Sequence, residues 1–109
     1  EFGRALINNG DVCDHGWGGH QFVIGGGVKG GDIYGQFPIF GAFDLSDATF
    51  FGNQMIDGSG ALLPSIGLDQ FVYTLGKWLG VSTTDLEGGM LPNIANFSAS
   101  TRDLGFMSA

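Results

Sequence analysis

The sequence predicts an α/β chain, and three features carry that reading. An amphipathic helix is expected at about residues 66–79, a strand near 21–28, and long glycine-rich loops elsewhere. Glycine takes 21 of 109 positions, well above ordinary usage. With no Gly-X-Y period and only three prolines, collagen is excluded. Aromatic content of 13% with only 14% charged residues excludes disorder. The length allows one domain at most.

Residues 1–13 read as a loop, with turn chemistry at Asn8-Asn9-Gly10-Asp11. Asp14-His15-Gly16-Trp17-Gly18-Gly19-His20 follows and holds both histidines of the chain. Gln21-Phe22-Val23-Ile24 is apolar and β-prone and opens the expected strand. The triplet Gly25-Gly26-Gly27 lacks the Gly-Lys-Ser/Thr ending of a nucleotide loop. Lys29 to Asp32 reads as a turn and Ile33-Tyr34-Gly35 as a short extended piece closed by Pro38.

Residues 39–60 read as an irregular covering loop ending in the turn Asp57-Gly58-Ser59-Gly60. That turn lacks the alternating acidic ligands of a calcium loop. In the helix, Leu68, Phe71, Val72, Leu75, Trp78 and Leu79 share one face, read as a core stripe. Ser65 is its expected N-cap and Gly80 its stop. Ser82-Thr83-Thr84-Asp85 reads as a second capping pattern, with Leu86 and Met90 facing inward before Gly88-Gly89. Leu104 and Phe106 are expected to pin the tail to the body.

The net charge is −7, on four scattered basic residues, Arg4, Lys29, Lys77 and Arg102. Nucleic-acid binding needs clustered cations, so no nucleic-acid partner is expected. No apolar run is long enough for a membrane span. Cys13 is the one cysteine, which rules out an internal disulfide.

Chemistry concentrates at Asp14 and His15, with His20 as a third candidate. Carboxylate oxygen and neutral imidazole nitrogen suit zinc, manganese or iron. On a loop held open by glycine, neighbouring residues can serve two ions that clamp an ester oxygen on each side. The alternative is a plain turn, in which Asp14 caps the backbone and His15 is exposed. Trp17 is assigned to packing.

Glu1-Phe2-Gly3-Arg4, the Asn-Gly turn, Asp14 to Gly18, His20 and Gly26 to Gly35 together resemble a known family. So do Leu68-Asp69-Gln70-Phe71, the helix end at Leu75 to Gly80, Leu91-Pro92-Asn93 and Arg102 to Phe106. The chain is similar to the C-terminal part of the bacterial domain-of-unknown-function family fifteen-oh-one, whose members are exported by the twin-arginine route. The likeness covers nearly the whole chain and is most specific over Asp14 to Gly35. It implies an alkaline-phosphatase-like or sulfatase-like α/β/α sandwich with a metal centre at its strand ends. Residues 1–109 would then be one partial domain, the C-terminal portion of a larger one.

The resemblance further implies Asp14 and His15 as metal ligands, His20 as a less secure third, and a divalent metal such as zinc as cofactor. The nucleophile would lie upstream, so the segment alone would be inactive. Its partners would be the remainder of the parent chain and, in a homo-oligomer, further copies. The place of action would be periplasmic or extracellular. The implied activity is metal-dependent hydrolysis of phosphate or sulfate esters. The rival is a non-catalytic exported structural or assembly protein that keeps the fold.

Overall fold

A computed structural model describes residues 3–8, 10–37 and 61–108. The irregular loop expected at 39–60, its Asp57–Gly60 turn and the stop at Pro38 lie outside the described residues. The chain divides into two units. One comprises 1–22 and 36–65, the other 23–35 and 66–109.

The first unit is built on an antiparallel hairpin, β1 (Arg4–Asn8) and β2 (Cys13–His15). Residues 1–13 were expected to be loop. The correction follows from local chemistry. Ala5-Leu6-Ile7 is a short apolar run, and Gly10 turns the chain at φ +95° while its N–H donates to Asn8 Oδ1 at 2.9 Å. The register pairs Arg4 with His15 and Asn8 with Cys13, so four steps on β1 face two on β2. Such a bulge breaks the period-2 pattern that would have revealed the strand.

The second unit is built on α1 (Leu68–Trp78). Ser65 is not its cap, because its hydroxyl accepts the Gln36 N–H instead, at 2.8 Å. Gly67 takes that position, and its N–H donates to Gln70 Oε1 at 2.9 Å. The helix ends in a Schellman motif. Gly80 adopts φ +87°, its N–H reaches the Lys77 carbonyl at 3.0 Å, and the Val81 N–H reaches the Gly76 carbonyl at 2.9 Å. Asp69 in the first turn and Lys77 in the last complement the helix dipole.

The face of α1 that is buried is not the expected apolar stripe. Gln70, Tyr73, Thr74 and Gly76 are buried, whereas Leu68, Trp78 and Leu79 are 75%, 50% and 71% exposed. The reason is hydrogen bonding to the tail. Gln70 Nε2 donates to the Thr101 carbonyl at 2.6 Å, and the Leu104 N–H donates to Thr74 Oγ1 at 2.8 Å. These bonds fix which side of the helix the 97–106 segment covers, and satisfied polar groups can be buried at little cost. Two stripe residues do find partners. Phe71 stacks on Phe106 at 5.5 Å, and Trp78 lies against Gly27, where an added Cβ would sit 2.9 Å from its ring.

Tyr73, Leu86, Leu91 and Ile94 form the core cluster, with Val81 and Phe97 packed against it. Leu86 follows the short α2 (Thr83–Asp85), whose Ser82 cap accepts the Asp85 N–H at 3.1 Å. Met90 was expected to face inward beside Leu86 and instead is exposed. Gly89 at φ +143° breaks the turn, so residue 90 no longer follows residue 86 along a helical face. Leu91 is buried in its place.

The strand expected at 21–28 is also corrected. Only Val28 bridges, to Met107, flanked by bonds from the Lys29 N–H to Phe106 O and from the Ser108 N–H to Gly27 O. Gly25 starts a turn, closed by the Val28 N–H on its carbonyl, immediately after Ile24. Residues 21–24 pair in no ladder, and the turn keeps them from continuing as a strand into Val28. Phe106 is buried as expected, with Tyr34 edge-on at 5.7 Å.

Glu87 joins three segments. Its carboxylate accepts from Tyr73 Oη at 2.9 Å and pairs with Arg102 Nη1 at 2.8 Å, while Arg102 Nε donates to the Phe97 carbonyl. The Tyr73 hydrogen bond, then Arg102, hold the Glu87 carboxyl below the ordinary glutamate range. Burial, then the same carboxylate, push the Tyr73 phenol up.

Truncating Leu86→Ala should cost about 2–5 kcal/mol, read as a lower midpoint in denaturant unfolding of the full chain. Because the folded-state pKa of Glu87 is depressed, its contribution is complete above the ordinary glutamate value and is lost as pH falls through the lowered one. Stability measured against pH should therefore fall less steeply in acid for Glu87→Gln than for the wild type.

Candidate metal centre

Asp14 and His15 occupy the last two positions of β2, and both are exposed. Strand alternation sends their side chains to opposite faces. Cys13 shares the face of His15 and is a free, half-buried thiol. Two adjacent donors on opposite faces of a strand do not chelate a single ion.

Glycine fixes how the loop leaves the strand. The Gly16 N–H donates to the Gly3 carbonyl, continuing the ladder one step past His15. At Gly3 an added Cβ would run into the Gly18 carbonyl oxygen, and at Gly18 it would run into the Pro64 ring. A Cβ at Gly16 would sit 3.0 Å from the Arg4 backbone nitrogen. The 14–18 loop is therefore packed backbone to backbone on the start of β1, and only glycine fits there.

His20 is exposed, and its imidazole stacks on Phe37 with centroids 4.7 Å apart and planes 23° from parallel. Nothing in the sequence marks that pair, because the two rings lie on separate irregular segments. Trp17, expected to pack, is 67% exposed. The sequence also gave no sign of the cross-strand pairing of Arg4 with His15, or of the Arg4 Nη1 bond to the Cys13 carbonyl at 2.9 Å. That bond spans an open depression lined by Arg4, Asn8, Gly10, Asp11, Val12 and Cys13.

One carboxylate and two imidazoles are donors of the right kind for zinc. Among the described residues, no three His, Cys, Asp or Glu side chains converge in a way that could hold an ion. Asp14, His15 and His20 are thus donors in one loop rather than a closed centre. Likewise, no helix among the described residues is long and apolar enough to cross a membrane.

The site is thus a small bulged hairpin whose second strand presents a carboxylate and an imidazole beside a glycine-packed loop. The chain belongs to the family described as protein of unknown function (DUF1501), which it matches over residues 1–84. The matched span takes in the hairpin, the Asp14–His20 loop and α1. No curated protein and no solved structure matches the chain.

Replacing Gly3→Ala should strain the loop by about 1–3 kcal/mol, because the new methyl group meets a backbone oxygen rather than a side chain that can move. Hydrogen exchange at the β1 and β2 amides should quicken, while the amides of α1 keep their protection.

Proposed function

We propose that residues 1–109 supply part of the metal centre of an exported, alkaline-phosphatase-like hydrolase of phosphate or sulfate esters. The observation that carries this reading is the placement of Asp14 and His15, both exposed, at the end of a hairpin whose next turn is fixed by glycine packing. Asp14 and His15 are the ligands, and His20, held against Phe37, is the third donor. The remaining donors and the nucleophile come from outside the described residues, and the α/β/α sandwich is completed by the rest of the parent chain. Bound divalent ions would supply Lewis-acid stabilisation of the charge that builds on the ester oxygens. The strand holds one donor on each face, and the locked loop keeps them in place without a reorganisation cost.

A specific observation favours the rival reading, a non-catalytic exported assembly protein. In the second unit Ile24 is 94%, Leu68 75% and Leu79 71% exposed, and they offer apolar surface that another surface would cover. The two readings separate on metal.

The full-length natural protein should bind zinc or manganese in stoichiometric amount by elemental analysis after dialysis. Asp14→Ala and His15→Ala should each reduce metal affinity and ester hydrolysis at least tenfold. A metal-free natural protein whose properties are indifferent to both substitutions would leave the assembly reading in place.

A further inference from the structure

We propose that Arg4 is the anion-binding side chain of this hairpin, taking the tetrahedral oxyanion of a phosphate or sulfate ester on the strand face that carries His15. The substrate class rests on the ester-hydrolase reading, and the role of Arg4 rests on the hairpin itself. Arg4 is paired directly opposite His15. Residues so opposed in an antiparallel pair project to the same face, with Cβ atoms roughly 4.5–5.5 Å apart. The guanidinium reaches across to the Cys13 carbonyl, so the side chain is held over β2 rather than left to sweep through solvent. Cys13 and His15 share that face by strand alternation.

The charge balance supports the same role. The net charge of −7 repels anions at long range, so an anion site here needs a fixed local cation. Of the four basic residues, Lys77 is paired with Asp103 at 2.7 Å and Arg102 with Glu87 at 2.8 Å. Lys29 donates to the Gly105 carbonyl at 3.0 Å. All three belong to the second unit. Arg4 is the basic residue of the hairpin, and the Cys13 carbonyl that its Nη1 meets is neutral, so that bond takes one donor without neutralising the charge.

A guanidinium carries five N–H donors in a planar fork that matches two oxygens of a tetrahedral anion. Arg4 and Asp11 line one depression that does not include His15, so the proposed anion is taken outside it, on the His15 side of the guanidinium.

The test uses the full-length natural protein, with binding of inorganic phosphate and of inorganic sulfate measured by calorimetry in zinc-loaded and metal-stripped samples. Arg4→Ala should weaken binding of the preferred anion roughly tenfold or more while zinc content stays at the wild-type level. Arg4→Lys should retain an intermediate affinity, since it keeps the charge and loses the fork. Arg4→Gln, with circular dichroism as the check on folding, replaces Arg4→Ala if the alanine variant does not fold. Whichever anion shows the larger dependence on Arg4 identifies the ester type. Phosphate and sulfate affinities that do not change in Arg4→Ala or Arg4→Gln overturn the proposal, as does a wild-type protein that binds neither anion. A protein that takes up no zinc yet binds phosphate through Arg4 overturns the metal reading and supports this one.

Discussion

Gly3 and Gly18 meet backbone to backbone, and the first unit is arranged around that approach. A side chain at Gly3 would hold the 14–18 loop away from β1, and one at Gly18 would run into the Pro64 ring. The Gly16 bond to the Gly3 carbonyl would then be lost, and with it the fixed end of β2. The donors at Asp14 and His15 owe their position to residues that carry no chemistry of their own. That division of labour explains part of the high glycine content: here it marks a place where two stretches of chain must touch, not a flexible linker.

The second unit solves a different problem by different means. Its organising contacts are polar, from Gln70 and Thr74 on α1 to the backbone of the 101–104 segment. An apolar contact area tolerates sliding, whereas a side-chain amide bonded to a particular carbonyl does not. Glu87 adds a second directional clamp through Tyr73 and Arg102. Its two partners reach it from the helix and from the tail, so the turn at 86–90 is held from both sides. The aliphatic cluster of Leu86, Leu91 and Ile94 fills the space that these bonds define.

The sequence was most legible where local rules decide. The helix runs Leu68–Trp78 against an expectation of about 66–79, and Gly80 and Ser82 act as the stop and cap that their chemistry suggests. It was least legible where a distant segment decides. Which face of α1 is buried depends on hydrogen bonds made 30 or 31 residues away, and hydrophobic periodicity cannot see them. The hairpin hid behind a bulge, since four residue steps opposite two leave no alternating pattern to read. At the candidate site, Asp14, His15 and His20 stood out by type and spacing. Arg4 was visible only as the end of the Glu1-Phe2-Gly3-Arg4 motif and Phe37 not at all, because the pairing with His15 and the stacking on His20 rest on register and ring contacts that no short motif encodes.

The pairing of residues 27–29 with 106–108 sets the order in which the molecule can be made. Lys29 and Gly105, joined by a side-chain bond, lie 76 positions apart. Contacts of such separation carry a large loop-closure cost and form late. During synthesis, α1 leaves the ribosome well before the segment that covers its Gln70 and Thr74. The helix must therefore wait with its polar face unsatisfied by protein and solvated by water until residues 101–108 arrive. Folding of this unit is thus completed only after the 101–108 segment is free to turn back.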